Sequence, residues 1–69
     1  MFYVITIAGE FWARCDTEEQ ANEALMRAMA RYPHETGEVH ECHSEADVQQ
    51  ALEEAQEMEQ RLKKHPGGE

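Results

Sequence analysis

The sequence predicts a small α+β domain of order ββαβα, a two-layer sandwich whose three-stranded antiparallel sheet, in strand order 2-1-3, carries two helices on one face. Three observations predict it. The chain has 69 residues, room for one domain. Its opening residues alternate as a hairpin does, and two later stretches repeat apolar residues at helical spacing behind capping signals.

Met1–Ala8 is rich in aromatic and β-branched residues, Gly9-Glu10 supplies turn chemistry, and Phe11–Cys15 continues the extended pattern. With either Ala8-Gly9 or Gly9-Glu10 as the loop, Phe2, Val4, Thr6 and Ala8 share a face with Phe11, Ala13 and Cys15. Tyr3, Ile5 and Ile7 then share the other with Glu10, Trp12, Arg14 and Asp16. The first face is nearly free of charge and is expected to meet the helices.

Helix one opens at a capping box, Asp16 with Glu19 or Thr17 with Gln20. Ala21, Ala24, Leu25, Ala28, Met29 and Tyr32 follow on one helical face, and Pro33 ends it. Glu38–His43, bounded by Gly37 and Ser44, is too short for a helix and reads as the third strand. Ser44 with Asp47 caps a second helix bearing Val48, Ala51, Leu52, Ala55, Met58 and Leu62 on one side, and Pro66-Gly67-Gly68 stops it. The domain is expected over 1–65, with a frayed tail at 66–69. Roughly 20 helical residues span about 30 Å against about 20 Å for a six-residue strand, so this helix should overhang the sheet and offer its free end to a partner or a second copy.

Composition sets the class. Fifteen acidic against six basic residues leave a net charge of -9. Such a chain repels nucleic acid and anionic lipid, because counterion release needs Lys and Arg. Its expected partner is a basic, nucleic-acid-binding protein or complex, with no direct nucleic-acid or membrane binding. The opening MFYVITIAGEF lacks the cationic n-region of a signal peptide, and neither cysteine sits in a CxxC, so a reducing cytoplasm is expected.

The one ligand-like cluster is His40-Glu41-Cys42-His43, to which His34 and Cys15 could in principle add. On a strand His40 and Cys42 point one way and His43 the other, so no metal or other cofactor is expected. In strand order 2-1-3, Cys15 and Cys42 lie about 9.5 Å apart, beyond the roughly 7 Å Cα limit of a disulfide. Two positive helix ends near Cys15, Cys42 and His43 could lower a thiol pKa, yet Asp16, Glu18, Glu19, Glu45 and Asp47 crowd them. Without an oxyanion loop, phosphate cradle or spaced acid pair, no enzyme is expected.

Two surfaces remain. Tyr3, Ile5, Ile7 and Trp12 form an apolar sheet face expected to be open, hence a possible interface in a homodimer, an oligomeric module or an antitoxin-like regulator. The acids form the other. Glu53 and Glu57 stack at i, i+4 beside Glu54, a like-charge arrangement that costs a few tenths of a kcal/mol in an isolated helix. Glu18, Glu19 and Glu23 add to it on helix one, and Glu38 and Glu41 on the third strand. Four helical residues rise about 6 Å, a spacing comparable to successive phosphates, so such rows present a phosphate-like field. Solubility is the bland reading of the same charge.

Size, acidity, a small α+β plan and the lack of catalytic machinery resemble the small phage-encoded inhibitors of the anti-CRISPR type. The resemblance is one of bulk properties over the whole chain, with no motif and no residue carried across. It implies an inhibitor that presents acid where the DNA-binding or PAM-reading surface of a CRISPR effector expects phosphate.

Overall fold

The computed structural model describes the backbone of residues 1–63 and the side chains of residues 1–61. Its elements are β1 (Phe2–Ile7), β2 (Glu10–Cys15), α1 (Glu18–Arg31), β3 (Gly37–Cys42) and α2 (Glu45–Lys63). The three strands are antiparallel to their neighbours in order β2-β1-β3, as the sequence predicts. The tail at 66–69 and the Pro66-Gly67-Gly68 stop lie outside the described residues, as does the side chain of Leu62. No helix among the described residues is long and apolar enough to cross a membrane.

The hairpin closes through Ala8-Gly9, for Ile7 pairs with Glu10. Both loop residues have positive φ, 57° at Ala8 and 79° at Gly9, the type I′ geometry whose twist matches that of the strands. Alanine in this region costs about 1–2 kcal/mol, a strain the flanking ladder must hold in place. Beyond the turn the register slips. Thr6 pairs with Phe11 but Ile5 with Ala13, leaving Trp12 as the extra residue of a β-bulge.

The bulge overturns the expected parity. Tyr3 and Ile5 stand opposite Cys15 and Ala13, and Val4 opposite Arg14, so Ala13 and Cys15 join the Tyr3, Ile5 and Ile7 face while Arg14 joins Phe2 and Val4. The guanidinium of Arg14 accordingly lies 3.9 Å from the centroid of the Phe2 ring.

Both caps form. Thr17 Oγ1 accepts from the Gln20 amide at 3.1 Å, and Gln20 Oε1 accepts from the Asp16 amide at 3.3 Å, which selects Thr17 with Gln20 over Asp16 with Glu19. At α2, Ser44 Oγ accepts from the Asp47 amide at 3.3 Å, and the Asp47 carboxylate accepts from the His43 amide at 2.8 Å. Tyr32 closes α1 by donating its N–H to the Ala28 carbonyl at 2.8 Å, just ahead of Pro33.

The expectation of two helices on one face is corrected: they lie on opposite faces, in three layers. On one side Phe2, Val4 and Cys42 pack against Val48 and Ala51 of α2. On the other, a Cβ built on Gly37 would stand 2.8 Å from Ile7 and from Leu25 of α1, and 3.3 Å from Met29. Gly37 pairs with Ile7 on the odd face of β1, and Val4 belongs to the even one. Three strands span only about 10 Å, the width of one helix with its side chains, so each face holds one. Val4, Ile5, Thr6 and Ile7 are consequently all buried, β1 being covered on both sides. The hairpin turn abuts the far half of α2: a Cβ on Gly9 would come within 3.2 Å of the Gln56 Cα and 3.3 Å of the Ala55 carbonyl oxygen.

Candidate functional site

The three-layer stack distributes the acids expected to face a partner. Glu18 and Glu19 occupy the first turn of α1, and Glu23 makes a 3.9 Å ion pair with Arg27; all three are exposed on the α1 layer. Glu53, Glu54 and Glu57 are exposed on α2, across the sheet from them. The acids therefore form two separate fields rather than one.

Along the outer edge of β3, acids of the strand and of α2 line one open groove. Glu41, Asp47, Gln50 and Glu54 line it with Val39 and His40, over a volume of about 440 Å³. A shallow surface continues across Glu53, Glu54 and Glu57 among Gln50, Gln56 and Gln60. Gln50 donates its side-chain amide to Glu54 at 3.4 Å. Arg14 pairs with Glu45 and Arg27 with Glu23, and no described cation is paired with Glu53, Glu54 or Glu57 on α2.

Glu38 stands apart from this row. It lies under α2 on the Thr6 side of the sheet, half-buried, because Glu38 pairs with Thr6 and His40 with Val4. Its Oε1 stands 3.5 Å from His40 Nε2, and the same nitrogen makes a 3.0 Å hydrogen bond with Thr6 Oγ1. A hydroxyl, an imidazole and a carboxylate in contact invite comparison with a catalytic triad. The geometry argues against it: a triad base uses its two ring nitrogens for the two partners, whereas here both partners meet Nε2. Thr6 is also only 1% exposed, out of reach of a substrate.

Comparison with family models, with characterised proteins and with solved structures finds no match to this chain.

The expectation of an open apolar face is corrected as well. Ile5 is wholly buried and Ile7 nearly so, while Tyr3 and Trp12 are half-buried, because α1 covers the face they share. Trp12 meets Tyr32 edge to face, with centroids 5.7 Å apart and planes at 85°. The sequence signal for this burial was the unbroken run Val4–Ile7, which marks a strand covered on both sides more than one exposed on one.

The thiols and imidazoles stay apart. Cys15 and Cys42 are free, on the two edge strands and opposite faces of the sheet. Burial pushes the Cys42 thiol above its ordinary pKa; Asp47 adds to this, Arg14 opposes it and Glu45 adds again. A thiol so placed is a poor nucleophile at neutral pH. Among the described residues no three His, Cys, Asp or Glu side chains are placed to hold a metal ion.

Proposed function

We propose that this chain is a non-enzymatic binding protein that occupies a basic, nucleic-acid-binding surface of another protein through the acids of α2 and the β3 groove. The observation that carries the reading is the exposed row of Glu53, Glu54 and Glu57, which no described cation neutralises, continued into the groove by Glu41 and Asp47. A net charge of -9 steers such a surface toward a cationic partner over a Debye length of about 8–10 Å. Once docked, carboxylates spaced along a helix take the places of phosphates on the partner's Lys and Arg side chains, and nucleic acid is excluded by competition. The two separate acid fields favour α2 as the principal contact, since on α1 Glu23 is paired with Arg27.

A narrower form of the proposal makes the partner a CRISPR effector and the protein its phage-encoded inhibitor; it rests on likeness of size and charge alone. Purified effector–guide complexes of several types, assayed for target-DNA binding with and without this protein, test both forms. The expected result is displacement of DNA by at least one complex, weakening as salt rises and lost in a Glu53→Gln, Glu54→Gln, Glu57→Gln triple variant. A triple variant that inhibits as well as the parent overturns the assignment of the site. Displacement confined to other basic nucleic-acid-binding proteins removes only the narrower form.

A further inference from the structure

At the hairpin end of the α1 layer, three of the chain's five aromatic residues line one surface cleft. Phe11, Trp12 and Tyr32 form its walls with Ile7, and Ala8, Glu10 and Glu35 complete the lining, around a volume of about 220 Å³. Phe11 is 52% and Tyr32 40% exposed, so the rings are within reach of a ligand. The irregularities of the sheet gather here. The bulge displaces Trp12 from the regular alternation of β2, and Ala8, held at a φ of 57°, belongs to the same cleft. Bulges commonly re-aim a side chain at a functional position.

The volume decides the size of the occupant. It falls below the roughly 300–1,000 Å³ of sites for whole small molecules, and matches one long side chain. The lining decides the chemistry. An apolar side chain would desolvate Glu10 and Glu35 without compensation, whereas a cation satisfies the carboxylates and the aromatic faces together. Among the described residues no Lys, Arg or His lines the cleft, and neither Glu10 nor Glu35 makes an ion pair.

The molecule holds its own example of the missing interaction. On the opposite face Arg14 places its guanidinium 3.9 Å from the Phe2 ring centroid and donates from Nη1 to Glu45 at 2.9 Å. The hairpin cleft offers the same partners, aromatic and carboxylate, without a cation of its own.

We propose that this cleft is a receptor for an arginine side chain of a basic partner protein, the guanidinium stacking on the aromatic walls while Glu10 and Glu35 neutralise it. Arginine fits better than lysine because its planar, weakly hydrated head both stacks and forks onto carboxylates. The inference rests on the proposed basic partner, and it adds a second, aromatic contact made by residues other than the row on α2.

Trp12 is the only tryptophan, so its fluorescence reports on this cleft directly. The probe is the peptide acetyl-Gly-Arg-Gly-amide, with citrulline, lysine and leucine in place of arginine as controls. The expected result is a saturable change for the arginine peptide, with the isosteric but uncharged citrulline peptide at least about fivefold weaker. Phe11→Ala, and the pair Glu10→Gln with Glu35→Gln, should each weaken arginine binding about two- to fivefold with the circular dichroism unchanged. No saturation up to about 50 mM, equal binding of citrulline, or preference for leucine overturns the proposal. The triple variant of Glu53, Glu54 and Glu57 keeps the two readings separate. It should lose DNA displacement yet still bind the arginine peptide; loss of displacement in a protein whose parent never bound the peptide sinks the cleft and leaves the acid row standing.

Discussion

The two faces of the sheet are built from different materials. Under α1 the contact is apolar throughout, with Ile5, Ala21 and Ala28 at zero exposure and Ile7 close to it. Under α2 it is mixed: Val4, Cys42 and Ala51 are buried, but so is Thr6, joined to His40 and through it to Glu38. Among the described residues, the α1 face thus supplies hydrophobic stabilisation with no polar side chain fully buried in it. The α2 face trades part of that for a polar chain, which fixes the register of β3 against β1 at a lower net gain. The layer carrying the proposed acid interface is therefore also the one less firmly attached.

That contrast is open to direct measurement. The largest effect should come from Ile5→Ala, which opens a cavity under α1 and costs about 2–5 kcal/mol, enough to unfold a domain of this size. Chemical denaturation would show it, and a loss under 1 kcal/mol would break the claim that this face dominates. Gly9→Ala should follow at about 1–3 kcal/mol. There a Cβ meets both a φ of 79° and the backbone of α2. Because the loss falls on the α2 attachment, amide exchange should quicken in α2 before α1.

Thr6→Val keeps the shape and deletes the hydroxyl that His40 contacts, so the expected loss is only about 1 kcal/mol. A loss as large as that of Ile5→Ala would mean that the polar chain, and not the apolar layer, holds the sheet. The smallest effect should be in pH dependence. Because the folded Cys42 pKa lies above its ordinary value of 9.0, the folded state holds its proton longer than the unfolded one. That stability is fully present below about pH 9 and is lost as pH rises above it. Melting temperatures between pH 8 and 10 should fall more steeply for the parent than for Cys42→Ala; identical slopes would remove the thiol from the account.

Much of the fold was legible in the residues. The caps at Thr17 and Ser44, the helical stripes behind them, and the pairing of the third strand with the first all follow from spacing and turn chemistry. The bulge was not, because Phe11 and Trp12 are both aromatic and neither marks the extra residue. One missed residue then inverted Ala13, Arg14 and Cys15. The opposite placement of the helices was legible only in the width of three strands, a quantity that periodicity does not carry. At the candidate site, helix positions sufficed to expose Glu53, Glu54 and Glu57. Glu38 is half-buried beside His40, a placement set by its register opposite Thr6 and not by spacing along the chain. The aromatic cleft joins Phe11 to Tyr32 through the bulge and the end of α1, and no local pattern announces it.

The central strand is the first element of the chain, and its second neighbour and second cover arrive late. Phe2 waits for Cys42, Val4 for Ala51, and the Gly9 turn for Gln56. During synthesis, which proceeds at about 5–20 residues per second, the hairpin and α1 emerge with Val4 and Thr6 bare on one side. A nascent chain that stops short of α2 therefore displays an uncovered sheet, a sticky fragment rather than a smaller domain.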